Sequence, residues 1–294
     1  MKFETFAQQW LAHNISIESW RPITARNYQS LIVAHLAPAL AGVELESVTR
    51  MTAQKLLHDL KSKMCPARAN KAVCLLRTIL DAAVGEGLID RNLIGKIELL
   101  EETAPVIQPW TMKEMKRVLD HIPARWQPYF TTLIYTGARP GELAALKWTD
   151  ISLSEAKMVI KRSRSAGHDN DTPKTENAIR TIPLHDAVVD VLRQMTPSST
   201  YVFTNKKGEP IDRSMTEIWE RACEAAGVEY RRSYMIRHSC ISRLVNKIGI
   251  VKNLDISTIS RVAGHSNPNT TIKMYMRTLI EDQEQSDKAV RSAL

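Results

Sequence analysis

Between Leu99 and Trp110 the chain reads LLEETAPVIQPW, with two prolines, an acidic pair and no hydrophobic period. Such a stretch continues neither a helix nor a strand, and helical patterns lie on both sides of it. It divides the sequence into a first domain over residues 1–100, a linker over 101–110 and a second domain over 111–294. A length of 294 residues is comfortable for two cores.

Before the linker the pattern is helical. FETFAQQWLAHN sets Phe3, Phe6, Trp10 and Leu11 at helical spacing. TARNYQSLIVAHLAPAL continues that period with Thr24 as a candidate N-cap, and TAQKLLHDLKSK does so with Thr52. In PARANKAVCLLRTILDAAVGEG, the residues Ala69, Val73, Leu76, Ile79 and Leu80 form one apolar stripe that Gly85 and Gly87 close. Arg68, Lys71 and Arg77 lie away from that stripe. They read either as a solvated face or as phosphate contacts of a helix laid against a duplex.

Beyond the linker, Thr111 and Glu114 make a capping box for a new helix. From Lys157 the period changes. KMVIKRS and AIRTIPL are short and rich in branched residues, and the polar RSAGHDNDTPKTEN separates them, so a hairpin or small sheet with a long connection is expected. TYVFTNKKGEPI suggests a further strand. Helices resume at RSMTEIWERACEAAG, YMIRHSCISRLVNKI and DISTISRVAG. The expected fold class is mainly α with a small β-sheet or hairpin in the second, α+β domain.

A formal charge of +8 favours a polyanionic partner, most often nucleic acid. No apolar run approaches a membrane span and the N-terminus has no signal-peptide stretch, so a cytoplasmic protein is expected. The four cysteines Cys65, Cys74, Cys223 and Cys240 have neither metal-ligand nor disulfide spacing and read as buried or half-buried thiols. HDNDT, from His168, lacks the glycine and distal glutamate of a calcium loop and reads as a solvated polar tip.

The segment GHSNPNTTIKMY ends on Tyr275. A phenol has a pKa near ~10 and is a poor nucleophile unless its target is prepared. For a phosphodiester, preparation means fixed cations around the non-bridging oxygens and an acid for the departing sugar oxygen. Arg139, in YTGARPGELAALKW, lies in a turn made by Gly137, Pro140 and Gly141 before a helix start. That place presents a guanidinium to an anion, although a surface arginine reads as well. Glu142 follows one helical step on, to orient a basic neighbour or to favour the helix dipole. In SYMIRHSCISRLV, Arg237 interrupts an apolar helix, a cost met by an anion or by a structural ion pair. Tyr234 shares its face, and His238 reads as a satisfied core histidine. His265 follows Gly264 at an apparent helix end, with Thr270 or Thr271 available to cap the next helix. Lys174 sits on the polar arm before a strand, where a solvated lysine is the ordinary reading and a proton donor the sharper one.

The set Arg139 in TGARPGEL, Lys174 in PKTENAIRTIPL, Arg237 in YMIRHS, His265 in GHSNPNTT and Tyr275 resembles the tyrosine recombinases, specifically phage-type integrases, over nearly the whole chain. The resemblance implies a core-DNA-binding domain followed by a catalytic domain, closing on duplex DNA as a C-shaped clamp. It implies that Arg139 and Arg237 clamp the scissile phosphate, Lys174 protonates the leaving 5′-oxygen, His265 donates a hydrogen bond to the phosphate and Tyr275 forms a 3′-phosphotyrosyl link. Glu142 and His238 match supporting positions. Neither metal, ATP nor another cofactor is implied. The implied partners are attachment-site DNA, a homo-tetramer on that DNA and accessory DNA-bending or directionality factors.

The chain departs from the family pattern in three places. Tyr234 stands where the family commonly has histidine, which leaves the acceptor of the Tyr275 proton open. The gap from His265 to Tyr275 is one residue longer than the common form. The sequence also begins almost directly with the core-binding helices, so either the protein lacks the small arm-binding domain that many integrases carry or the sequence is a fragment. Other readings are a DNA-binding protein that keeps the fold without chemistry, and a type IB topoisomerase. The final segment TLIEDQEQSDKAVRSAL, with Leu279, Ile280, Val290 and Leu294, reads as a docking element for a neighbouring protomer or as an acidic tail.

Overall fold

The computed structural model describes residues 1–102, 108–165, 167–170, 179–211, 215–248, 251, 254–264, 267, 269 and 271–272. The chain divides into two compact units, Met1–Pro105 and Val106–Leu294.

The first unit is helical. Helix α1 (Phe3–Ser16) is followed by α2 (Pro22–Leu31), which runs through one π-turn at Ile32–Leu36 into α3 (Ala37–Ala39); α4 (Arg50–Lys61) and α5 (Pro66–Gly85) complete it. Phe3, Ile32, Leu36, Leu57 and Leu76 are fully buried at its centre. The expected stripe of α5 is buried throughout, and Gly87 leaves the helix at φ 70°. Two caps differ from expectation. Pro22 opens α2 because a proline at the first helical position loses no hydrogen bond, so Thr24 lies inside. Thr49 caps α4, with Thr52 as its reciprocal partner at the third position. Cys74, expected buried or half-buried, is exposed, as is Cys65. One residue past the buried Val73, it is turned about 100° off the stripe.

The second unit opens with α6 (Met112–Asp120), capped by Thr111 and Glu114 as the sequence suggests. Next come α7 (Gln127–Thr136) and the short α8 (Pro140–Ala144). The sheet follows: β1 (Ile151–Ser152), β2 (Lys157–Ile160) and β5 (Arg180–Pro183) pair antiparallel in the order β1-β2-β5, with Met158 opposite Ile182. β3 (Ser163–Ser165) and β4 (His168–Asn170) form a separate two-stranded ribbon. Helices α9 (Asp186–Arg193), α10 (Thr216–Ala225), α11 (Tyr234–Val245) and α12 (Ile256–Ala263) follow. Helix α7 packs against α9 and α11. Trp110 is buried here, its ring 4.9 Å from Trp219, and its backbone N–H donates to Ser239 Oγ at 2.8 Å.

The ribbon was not expected, and the strand expected in TYVFTNKKGEPI is reduced to isolated bridges at Tyr201 and Thr204. Asn205 folds that segment back, its Oδ1 accepting from the backbone N–H groups of Lys207 and Glu209, and Gly208 turns at φ 79°. In the polar tip, Asp169 accepts from Arg164 and from the Tyr201 hydroxyl, each at 2.6 Å, so the ribbon is pinned to the body. No described helix is long and apolar enough to cross a membrane.

Candidate active site

Gly137 ends α7 in the left-handed region at φ 62°, where a residue without Cβ costs nothing. A Cβ there would lie 3.1 Å from Cys240 Sγ, because α11 passes directly behind the turn. Two residues on, Pro140 starts α8 and leaves Arg139 in the N-cap position. The Arg139 backbone N–H donates to Glu142 Oε2 at 2.8 Å and its Nη1 to Oε1 at 2.8 Å. The strand β3 lies against this turn so closely that a Cβ on Gly141 would meet the Arg164 carbonyl oxygen at 2.7 Å.

Glu142 is only 6% exposed. Its remaining acceptor positions are filled by Arg180 on β5, whose Nη1 donates to Oε1 at 3.0 Å and Nη2 to Oε2 at 2.7 Å. Burial alone would raise the carboxyl's pKa. The Arg180 hydrogen bonds and charge, with Arg139 behind them, outweigh burial and hold it at about 2. Arg180 was not read as a site residue from the sequence. The signal was present: in the alternating strand RTIP, Arg180 falls on the buried side with Ile182. An inward arginine on a half-buried strand needs an anion.

The C-terminal end of α12 completes the arrangement. Helix ends leave carbonyls unpaired and carry negative dipole charge. Here three successive carbonyls are taken by three arginines. Arg180 Nε donates to Val262 O at 2.7 Å, Arg237 Nη2 to Ala263 O, and Arg139 Nη2 to Gly264 O at 3.1 Å. Arg237 also donates through Nη1 to Gly137 O at 2.7 Å, so one side chain ties the end of α7 to the end of α12. It is 1% exposed, and its acceptors among the described residues are carbonyls rather than the carboxylate of an ion pair. Burial, then repulsion from Arg139, lowers its pKa to about 10, which leaves it cationic at neutral pH. Tyr234 begins α11 and is 46% exposed, its ring edge-on to His238 at 5.1 Å. His238 is buried, and burial and then the Arg237 charge push its pKa down, both disfavouring the imidazolium.

Of the residues singled out in the sequence, Arg139, Glu142 and Arg237 converge, with Tyr234 and His238 on the same turn of α11 as Arg237. Lys174, His265, Tyr275 and the final segment lie outside the described residues. Arg68, Lys71 and Arg77 stand exposed on α5 in the other unit; Arg68 donates to Ser30 Oγ at 3.1 Å and Arg77 lies 3.9 Å from Asp81. Thr270 also lies outside the described residues, Thr271 is buried, and Asn267 Oδ1 accepts from the Asn269 N–H at 2.8 Å. Gly264 itself is fixed twice. It has φ 67°, and a Cβ on it would lie 2.8 Å from Arg180 Nη1. Arg180 is buried and cannot swing aside. Gly264→Ala is expected to lower the melting temperature of this unit by about 5–10 °C, the sum of left-handed strain and a displaced ion pair, in a thermal denaturation scan.

The sequence profile of the phage integrase family matches residues 109–281. The chain belongs to the phage integrase family. Members of this family are enzymes of DNA strand exchange. Among curated integrase-family relatives, a XerC-like tyrosine recombinase of Caldanaerobacter subterraneus is 25% identical over 278 residues, covering 82% of this chain and 70% of the relative. The Tn1549 transposon integrase, solved with transposon right end DNA, has the same fold at a TM-score of 0.78 and 16% identity, covering 97% of this chain and 99% of that one. A lambda integrase, solved as a tetramer bound to a Holliday junction, matches at a TM-score of 0.71 and 18% identity over 91% of this chain and 78% of that one.

In this integrase-family chain the buried Glu142 makes an acid-sensitive link. Its pKa falls from an ordinary 4.5 to about 2 on folding. A depressed carboxyl stabilises the fold fully above its unfolded pKa, and that contribution is lost as pH falls through its folded pKa. Glu142→Gln should therefore cost roughly 3 kcal/mol between pH 6 and 8. The gap to the parent should narrow from about pH 4.5 downward, as the unfolded chain takes up a proton that the folded carboxyl accepts only near pH 2. Urea titrations of both proteins across that range check it.

Proposed function

We propose that this protein is a site-specific DNA recombinase that integrates or excises a prophage or other mobile element through a 3′-phosphotyrosyl intermediate. The observation that supports this reading most is the convergence of Arg139, Arg180 and Arg237 on one carboxylate and one helix end. Three guanidiniums against Glu142 leave two positive charges. A phosphodiester brings one negative charge and gains a second as an oxygen nucleophile adds, so the surplus is worth most in the transition state.

In this scheme Tyr275 attacks phosphorus. The bond from its oxygen to phosphorus forms as the bond to the 5′-oxygen breaks, and Lys174 gives that oxygen its proton. The phenol's own proton passes to a general base or to water, since the Tyr234 phenol does not serve as a base at neutral pH. Arg139 and Arg237 hold the non-bridging oxygens, with His265 and the exposed Tyr234 hydroxyl as further donors. The phosphotyrosyl link retains the bond energy, so the reverse attack by a 5′-hydroxyl of another strand needs no ATP.

The two units would close on duplex DNA as a C-shaped clamp, with Arg68, Lys71 and Arg77 of the first unit on backbone phosphates. Affinity should then fall steeply with salt. A homo-tetramer on DNA, assisted by DNA-bending or directionality factors, and action in the cytoplasm belong to the same reading.

A nicked suicide substrate that traps the covalent intermediate tests the proposal. A denaturation-resistant adduct supports it. Binding without any adduct would mean a non-catalytic DNA-binding protein, and relaxation of supercoils without site preference would mean a topoisomerase. Lys174→Ala should slow cleavage by about 10²–10⁴-fold, the usual worth of a positioned acid. A substrate with sulfur in place of the 5′-oxygen leaves without a proton and should restore most of that rate in a single-turnover assay.

A further inference from the structure

The carboxylate of Glu142 has about four acceptor positions, and all are occupied. Arg139 fills two, with its backbone N–H and its Nη1; Arg180 fills the other two with both ends of its fork. Arg180 also reaches the end of α12 through Nε. All three of its nitrogens are bonded within the protein, whereas the Arg139 side chain is 40% exposed and so can meet a ligand. We propose that Arg180 is a positioning residue for strand cleavage: by saturating Glu142 and holding Val262, it keeps the Arg139 guanidinium aimed outward and fixes where the chain leaves α12. The proposal rests on the recombinase reading and assigns this residue a role within it.

Loss of Arg180 leaves two acceptor positions of a buried carboxylate empty. The nearest mobile donor is Arg139, already bonded to one of its oxygens. A buried, half-satisfied carboxylate draws such a donor into a two-pronged grip. Arg139 would then give up Gly264 O and turn its charge inward. In parallel, Val262 O loses its partner, and the helix end that precedes His265 is released. The first change costs one contact, at the scissile phosphate, which carries a small part of the affinity along a duplex, so the expected signature is slow cleavage at nearly unchanged binding.

The carboxylate is the agent of the damage, so removing its charge as well should undo part of it. Arg180→Met is expected to bind duplex DNA within about threefold of the parent and to form the suicide-substrate adduct about 10²-fold more slowly, the scale of one misplaced transition-state donor. Adding Glu142→Gln to Arg180→Met should recover about tenfold of that rate, since Arg139 no longer faces a competing charge. A residue that merely filled space would give the opposite, a double variant slower than either single one. Arg180→Lys keeps Glu142 paired and so keeps the fold, but it has no fork to reach Val262 O at the same time. It is expected to lose about tenfold in cleavage at unchanged binding.

A double variant no faster than Arg180→Met, or Arg180→Lys cleaving at the parent rate, overturns the proposal. If Arg180→Met does not fold, the Arg180→Lys rate decides. Absence of any adduct from the parent protein is a different result, which overturns strand cleavage itself and this role with it.

Discussion

Arg139→Ala is expected to bind duplex DNA almost as tightly as the parent protein and to cleave it about 10²–10³-fold more slowly, the cost of deleting one preorganised donor at a site of developing charge. The separation of the two effects follows from where the side chain sits. Arg139 is 40% exposed, so its removal opens no cavity in the core. The alanine keeps the backbone N–H that donates to Glu142, and Arg180 still pairs with that carboxylate. The fold around the turn therefore survives. Binding survives because many phosphate contacts along a duplex share the affinity and one cation contributes a small part. Cleavage does not survive, because the second negative charge appears at one phosphorus and the cations must already be there. Filter binding and single-turnover cleavage on the same substrate measure the two quantities. Equal loss of both would make Arg139 a binding or folding residue.

Tyr275→Phe removes one oxygen and should eliminate the covalent adduct, by about 10⁴-fold or more, on the scale of other nucleophile deletions. DNA binding should be unchanged, since a phenyl ring fills the same space. In the proposed reaction the arginines only prepare the phosphate, and a guanidinium is no replacement nucleophile. If an adduct persists, Tyr234 is the described phenol to examine next. It is half exposed at the start of α11 and one turn from Arg237. A persistent adduct lost on Tyr234→Phe would assign the attack to that residue.

The turn around Arg139 was legible because glycine and proline have few conformational roles. A glycine after an apolar run ends a helix, and a proline two or three residues later starts another. The Thr111–Glu114 box and the pairing of β2 with β5 were legible for similar local reasons. What the sequence hid was either competition between neighbours or distance. Thr24 and Thr52 look like caps, but Pro22 and Thr49 reach the helix starts first. The β3–β4 ribbon is held by Arg164, Asp169 and Tyr201, a set whose last member lies 32 residues from Asp169. Arg237 was correctly read as a buried cation in an apolar helix. Its partners are carbonyls, and a carbonyl at a helix end carries no mark in the sequence. Arg180 is hidden differently: the branched residues around it mark a strand, and only the alternation along that strand shows that the arginine faces inward.

The most direct test of the whole account is the site of covalent attachment. The adduct formed on a nicked suicide substrate is digested with protease and nuclease, and the nucleotide-bearing peptide is sequenced by mass spectrometry. The account predicts the Tyr275 peptide, carrying a phosphodiester to a 3′-nucleotide, with a free 5′-hydroxyl on the released strand. A nucleotide on any other residue, or a phosphate joined through its 5′ side, would contradict it.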